Sequence, residues 1–251
     1  MRRILLVLAT ILIAVSIPLA SRRMLPRRAG PPDGRLPALM LWAWERPVDL
    51  RGLGPGAGVA FLAQTITISA DGFIPSPRRQ PLFVNPGTPL VAVTRIEAPG
   101  GVPSFARRID EIARVIATTA ALPGTLGVQI DFDATQSQRE MYRRLLFAVR
   151  AAMPRGMPLS MTALASWCTD DDWLEDLPID EAVPMLFRMG PADESVRASF
   201  AARLHAPACR GVVGTSLDEP LPPRAAGRTY VFNPSPWTAD AITAARRRTT
   251  P

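Results

Sequence analysis

The feature that most constrains the fold is a series of eight mostly apolar runs, separated by segments that are mostly too long for tight hairpins. Parallel strands that are buried on both faces have such continuous apolar sequences. Because parallel strands need long connections, usually helices, this alternation predicts βα units. Eight units predict an α/β fold of the compact (β/α)8 TIM-type barrel class. The runs are 38–44, 58–62, 90–96, 126–132, 158–165, 181–187, 211–215 and 229–232.

The second unit departs from this regular pattern. Thr65 to Ser69 is a further β-like stretch, and the segment from Asp71 to Pro89 holds five prolines without helical periodicity. Proline lacks a backbone N–H and fixes φ, so we expect an irregular excursion here, with a hairpin as one form. Elsewhere, helical spacing predicts long helices at 105–116, 138–149, 191–205 and 237–248, and short helices at 170–177 and 219–226.

The two ends of the chain are predicted to lie outside the barrel. Residues 1–20 combine a basic start with an apolar run, which is typical of a signal peptide or an N-terminal membrane anchor. An Arg- and Pro-rich linker over 21–37, a single barrel domain over 38–245 and a basic tail over 246–251 complete the expected organisation. The barrel is therefore expected to be exported: periplasmic, anchored in the inner membrane facing the periplasm, or secreted. Membrane contact is expected only through the N-terminal segment.

The charge distribution disfavours nucleic acid as a partner. The net charge is +7, but ten arginines lie before residue 36 or after residue 245. Without them and Asp33, 19 arginines face 21 acidic residues, a net charge of about −2, so no basic face remains on the barrel. The chain contains no lysine and one histidine, His205. Carboxylates must therefore carry any acid–base chemistry, and we expect neither a metal nor a cofactor.

The polar residues collect at the predicted carboxyl ends of the strands, where barrel enzymes place their active sites. The candidate catalytic carboxylates are Asp133, Asp131, Glu97 and Asp218. The candidate substrate-binding residues are Trp44, Arg95, Gln129, Thr162, Trp167, Arg188, Asn233 and Trp237.

Two of these carboxylates alternate on one face of the fourth strand. Asp131 and Asp133 are two residues apart, so their side chains point the same way and repel. We expect Arg95 to hold Asp131 ionised, and the charge of Asp131 to raise the pKa of Asp133, which then acts as a general acid. Glu97 or Asp218 would be the second carboxylate. The alternative is a structural ion pair between Asp131 and Arg95.

The five tryptophans, Trp42, Trp44, Trp167, Trp173 and Trp237, all follow predicted strand ends. A tryptophan at a rim buries apolar area while its N–H stays in water, and sugar rings stack on such surfaces. Five on one rim favour carbohydrate as the ligand. The alternative for each tryptophan is ordinary core packing.

Two resemblances carry this interpretation further. The run Gly127-Val128-Gln129-Ile130-Asp131-Phe132-Asp133 is similar to the strand-four signature of family 18 glycoside hydrolases, although Gln129 and Asp133 stand where that family has an acid and a Glu. The chain also resembles an uncharacterised bacterial family, a domain of unknown function with a glycosidase-like barrel. That resemblance rests on Gln129–Thr135, Leu159–Trp167 and Asp180–Met185. It implies a barrel and export more firmly than an activity.

Two alternatives stay open. Asp131-Phe132-Asp133-Ala134-Thr135 also resembles the first motif of haloacid-dehalogenase-type, Mg²⁺-dependent phosphatases, which normally need a lysine and begin their domain at this motif. A non-catalytic barrel that binds a glycan or a partner is the other alternative, because fold does not determine function. The sequence leaves the oligomeric state open.

The two cysteines are expected to be free thiols. Cys168 follows strand five at one end of the barrel, and Cys209 precedes strand seven at the other end. A strand of five residues spans about 17 Å, whereas a disulfide requires a Cα separation below about 7 Å.

Overall fold

The eight predicted apolar runs form a closed parallel barrel in the computed structural model of the protein, which describes residues 36–69, 71–99, 108–223 and 226–249. The barrel order is β1-β3-β6-β7-β8-β9-β10-β11, and β11 pairs with β1 to close the ring. The predicted fold class is therefore confirmed. The strands are β1 Leu39–Ala43, β2 Val48–Asp49, β3 Ala57–Ser69, β4 Gly72–Pro77, β5 Leu82–Phe83, β6 Leu90–Glu97, β7 Thr125–Asp131, β8 Leu159–Leu164, β9 Glu181–Met185, β10 Val212–Ser216 and β11 Arg228–Phe232.

Five α-helices connect or flank these strands in the described residues: α1 Ile109–Thr118, α2 Arg139–Ala152, α3 Ala165–Thr169, α4 Asp193–Ala202 and α5 Ala239–Arg247. The short helix predicted at 170–177 is wrong, since α3 begins directly after β8 and ends before it. Asp171 accepts a hydrogen bond from the Trp173 backbone N–H (3.0 Å), a local turn that competes with helix.

The helix predicted at 219–226 is also absent from the described part of that segment, 219–223 and Ala226. Pro220, Pro222 and Pro223 remove the backbone donors that a helix needs.

The irregular second unit is a β-hairpin. β3 runs for 13 residues, and β4 pairs antiparallel with its second half, from Gln64 opposite Pro77 to Ser69 opposite Gly72. A shift of register between Leu62 and Gln64 marks a bulge in the β3–β6 pairing, which continues to Thr67 opposite Glu97. The expected excursion thus extends one wall of the barrel beyond its neighbours.

Side chains fill the interior of the barrel. At the amino-terminal end, Arg228 donates a charge-assisted hydrogen bond to Glu181, which also accepts one from the Tyr230 hydroxyl (2.6 Å). Above this layer, Trp42 Nε1 donates to Gln129 Oε1 at 2.9 Å. The Trp42 ring passes so close to Gly214 that a Cβ there would lie 2.8 Å from it. The interior of the barrel is therefore a packed core, so a ligand can bind only at the rim.

The outer layer corrects the prediction for the cysteines. Cys168 and Cys209 form a disulfide with a Cα–Cα distance of 5.9 Å. The expectation of free thiols assumed that each cysteine lay at a barrel end. Instead, both are buried in one cluster outside the strands, where the His205 backbone N–H donates to the Cys168 carbonyl (2.8 Å).

Three of the five tryptophans are core residues, contrary to the prediction of a common rim. Trp42 is inside the barrel, and Trp167 packs edge-on against Trp173 in the outer layer (ring centroids 4.8 Å apart). The crossover after β8 folds back over the barrel wall, so its tryptophans turn away from the mouth. Only Trp44 and Trp237 are partly exposed.

Residues 246–248 also pack on the barrel, beyond the domain boundary predicted at residue 245. α5 continues to Arg247, and Arg248 donates to the carbonyls of Leu217 and Glu219 (3.0 and 2.7 Å). The predicted signal peptide or anchor, and most of the linker, lie outside the described residues. No helix in the described part of the chain is both long enough and apolar enough to cross a membrane.

Candidate functional site

An open cleft of about 730 Å³ lies at the carboxyl ends of β6 and β7. It brings together four of the predicted residues, Arg95, Glu97, Asp131 and Asp133. The register explains the grouping, because Arg95 is paired with Asp131 across the two strands and the other two residues follow with the same parity. Thr67, Ile96, Ala98, Pro99, Phe132, Thr135, Ser137 and Gln138 complete the lining.

Asp131 forms the inner part of the cleft and is only 6 % exposed. Its Oδ1 accepts a hydrogen bond from the Thr162 hydroxyl (2.8 Å), and its Oδ2 faces the Arg95 guanidinium at 3.4 Å. Burial raises the pKa of Asp131, the charge of Asp133 adds to this, and Thr162 and Arg95 oppose it. Burial therefore acts against the ionised state that Arg95 was expected to impose, and burial is the largest effect.

Asp133 and Glu97 are the exposed carboxylates of the same cleft. Glu97 accepts a hydrogen bond from Arg95 Nε at 3.2 Å, so Arg95 bridges Glu97 and Asp131. Carboxyl groups in two different environments, one buried and two in water, thus share one cleft.

Asp218 belongs to a different cluster at the end of β10. It pairs with Arg188 (2.8 Å) and accepts a hydrogen bond from Ser216. These two hydrogen bonds lower the pKa of Asp218, with Ser216 the larger cause. Arg188 also contacts Glu219. Asp218 is not among the residues that line the cleft, so Glu97 is the structurally favoured second carboxylate.

Two aromatic residues at the barrel mouth were missed by the sequence analysis. Phe187 and Phe232 follow β9 and end β11, and their rings stack with centroids 5.6 Å apart. Both are partly exposed above Trp42. The alternation along the strand could have indicated them, because Phe187 has the same parity as Val183 and Met185, whose side chains point into the barrel.

The other predicted binding residues do not line the β6–β7 cleft. Gln129 is fully buried and donates to Ser160 (3.0 Å). Asn233 closes a turn by accepting from the Ser235 backbone N–H, and Trp237 donates to the Trp42 carbonyl. Trp167 is in the outer layer, away from the mouth. Of the predicted tryptophans, Trp44 lines a cleft that also contains Arg95 and Glu97, and Trp237 lines a separate cleft beside α5.

The phosphatase alternative loses its basis in this arrangement. The Asp131–Thr135 motif ends the fourth strand of a closed barrel and does not begin a domain. The acidic residues after α3 form ion pairs outside the cleft: Asp171 pairs with Arg139 and Asp172 with His205 (both 2.6 Å). Asp172, Glu175 and His205 are also the group in the described residues with metal-ligand geometry, and they lie outside the cleft.

Comparisons with known proteins do not assign this chain to a family. No protein-family model matches the sequence, and no curated protein matches it. The fold is similar to the crystal structure of endo-β-N-acetylglucosaminidase from Cordyceps militaris, at 10 % identity and a TM-score of 0.45, over 85 % of this chain and 91 % of that one. It is also similar to the chitinase domain of the spore coat protein CotE from Clostridium difficile, at 15 % identity and a TM-score of 0.43, over 86 % and 62 %. At these values the likeness supports no conclusion about activity.

Proposed function

We propose that this protein is an exported, glycoside-hydrolase-like barrel that binds a carbohydrate in the β6–β7 cleft and cleaves it with a pair of carboxyl groups. The observation that carries the proposal is the contrast between Asp131, buried with a raised pKa, and the exposed Asp133 and Glu97 in the same cleft. Carboxyl pairs whose surroundings separate their pKa values are typical of acid–base sites.

In this proposal Asp131 holds the proton and takes the role that the sequence analysis gave to Asp133. Its raised pKa favours the protonated form that a general acid needs. Asp133 or Glu97 then acts as the base or nucleophile, because both are exposed to a ligand in the cleft. The partly exposed Trp44, Phe187 and Phe232 offer apolar surfaces to sugar rings.

The disulfide supports the export part of the proposal. Disulfides persist in oxidising compartments such as the periplasm or the extracellular space and are rare in the cytosol. The Cys168–Cys209 bond is buried and is therefore of the structural kind.

A non-catalytic carbohydrate-binding barrel is the second candidate, and one observation favours it. Both oxygens of Asp131 already have partners, Thr162 and Arg95, as in a structural ion pair. In that case the carboxylates would only orient a bound glycan. Both candidates predict that the protein binds a carbohydrate, but only the first predicts that it cleaves the carbohydrate.

The test is a glycan panel assayed for binding and for release of reducing ends. Loss of a positioned proton donor costs about 10²–10⁴ in rate, so Asp131→Asn should lose turnover by that factor. Asp133→Asn and Glu97→Gln should lose turnover with nearly unchanged melting temperatures, because both side chains are exposed. Asp71→Asn, an exposed carboxylate in the hairpin turn, is the matched control.

The outcomes distinguish the carbohydrate-cleaving barrel from the non-catalytic one. Binding without release of reducing ends by wild-type protein supports the non-catalytic barrel. Full turnover by both Asp131→Asn and Asp133→Asn would remove the proposed chemistry. Failure of wild-type protein to bind any member of the panel would overturn the proposed function.

A further inference from the structure

A second cleft adjoins the first at the barrel mouth. It measures about 490 Å³ and shares Arg95 and Glu97 with the β6–β7 cleft, so the two clefts are adjacent, and together they are called the groove. Ligand sites in proteins occupy about 300–1,000 Å³, and each cleft falls in that range by itself. The groove therefore has room for more than one small ligand unit. Its further lining is Trp44, Glu45, Arg46, Leu62, Thr65 and Ser76.

Trp44 is the large apolar side chain at the far end of this groove. It follows β1 and has the inward parity of Met40 and Trp42, but it is half-buried, whereas Trp42 below it is enclosed. Four charged side chains line the cleft beside Trp44, and their charges balance: Glu45 and Glu97 against Arg46 and Arg95. An aromatic face among balanced charges suits a neutral ligand with both apolar and hydroxyl surfaces.

The hairpin of the irregular second unit holds this end of the groove in place. Ser76 of β4 lines the groove. Arg78, directly after β4, donates to the backbone carbonyls of Ala43, Trp44 and Arg46 (3.2, 2.6 and 2.6 Å). The planar guanidinium presents several donors at fixed angles, so it fixes the path of the chain that carries Trp44. Arg78 is thus a positioning residue.

We infer that the groove takes a neutral oligosaccharide chain of several sugar units, with a distal subsite at Trp44 that the hairpin builds. The inference rests on the proposed function. The chain lies across the ends of β7, β6 and β3 toward β1, with the carboxyl pair at one end and Trp44 at the other. The ligand is therefore an oligomer, and a free monosaccharide fills only part of the groove.

The test measures how affinity depends on chain length in the full-length protein. Cello-, chito- and malto-oligosaccharides from disaccharide to hexasaccharide are titrated by calorimetry into wild-type protein and into Trp44→Ala. In wild-type protein the hexasaccharide should bind about tenfold tighter than the disaccharide, the gain of a well-packed aromatic contact. Trp44→Ala should abolish that ratio, and Trp44→Tyr should keep most of it.

Two further variants separate the subsite from general effects. Phe147→Ala removes an aromatic side chain that is exposed (44 %) on the outer face of α2, away from the groove, and should keep the wild-type ratio. Arg78→Lys keeps the charge but loses the fork of donors, so it should reduce the ratio while circular dichroism shows an intact fold.

An equal affinity for all chain lengths in wild-type protein, or an unchanged ratio in Trp44→Ala, overturns the distal subsite and leaves the proposed function standing. If no oligosaccharide binds to wild-type protein, the proposed function fails and the subsite fails with it.

Discussion

Asp131 has the least ordinary surroundings of the carboxylates in the cleft. It is enclosed at the end of a strand, with one hydroxyl and one guanidinium as partners and a second carboxyl two residues away. The sequence indicated the pair and its cation, because alternation and strand register are local properties. It did not indicate which carboxyl is buried, since this depends on Thr162 and on how α2 and its preceding turn cover the strand end.

The raised pKa of Asp131 has a consequence for stability. Between the ordinary value of 3.8 and the raised value in the folded state, the folded protein binds more protons than the unfolded chain. The stabilising contribution is complete below the ordinary value and is lost as the pH rises through the raised pKa. Asp131→Asn lacks this titration, so the melting temperature of the variant should gain on that of wild-type protein as the pH rises.

Thermal unfolding of both proteins from acid to neutral pH checks this expectation. Asp71→Asn, which changes an exposed carboxylate in the hairpin turn, is the control. A wild-type melting temperature that rises more steeply with pH than that of Asp131→Asn would mean that the carboxyl is stabilised as an ion.

At the scale of elements, the strands and the four long helices were predictable, and the crossover after β8 was not. Burial on both faces gives each barrel strand a continuous apolar sequence, and all eight runs became strands. The segment from 165 to 179 has no such pattern. Its helix begins at once after β8, and its direction depends on contacts with α2 and α4, such as Arg139 over the Trp167 ring. The positions of Trp167, Trp173 and Cys168 therefore could not be predicted from local sequence.

The disulfide between two such crossovers should contribute strongly to stability. It joins residues 41 positions apart, and the loop-closure entropy removed from the unfolded chain is equivalent to about 4 kcal/mol. The double variant Cys168→Ala/Cys209→Ala should lose about 3–4 kcal/mol of unfolding free energy in urea, and reduced wild-type protein should behave similarly.

Thiol titration provides an independent check of the same bond. The unfolded protein should show no free thiol before reduction and both thiols after it. Two free thiols in the unreduced protein would contradict the disulfide.

At the scale of the whole molecule, the buried pair of Arg228 and Glu181 joins the last strand to β9 and to the start of the domain. Arg228 also donates to the Leu36 and Pro37 carbonyls (3.0 and 3.2 Å). Glu181→Leu removes the carboxylate from a buried guanidinium and should cost about 3–5 kcal/mol. Adding Arg228→Met should recover part of this loss, because no buried charge remains.

Urea unfolding of the two single variants and the double variant measures this coupling. If the losses of unfolding free energy in the two single variants add up to the loss in the double variant, the two side chains act independently. A cost near zero for Glu181→Leu would show that the pair does not stabilise the closed barrel.

The contacts of Leu36 also predict where the domain can be shortened. Deleting residues 1–35 should leave a soluble barrel with cooperative unfolding, because the apolar run and the Arg- and Pro-rich linker are expected to add nothing to the core, whereas the Leu36 carbonyl accepts from Arg228. Deleting residues 1–38 also removes the Ala38 carbonyl that accepts from the Thr229 backbone N–H (2.7 Å), and should lower the melting temperature. Aggregation of the shorter deletion, or equal melting of both proteins, would contradict this boundary.

The Cys168–Cys209 bond also determines how the molecule should respond to proteolysis. The chain between the two cysteines carries β9 and α4, with an exposed turn before α4. A protease that cuts once in this interval produces two fragments that the sulfur bridge still joins. On a gel such nicked protein should migrate as one species without reductant and as two with it, and the strands on either side of the cut should stay paired in the barrel.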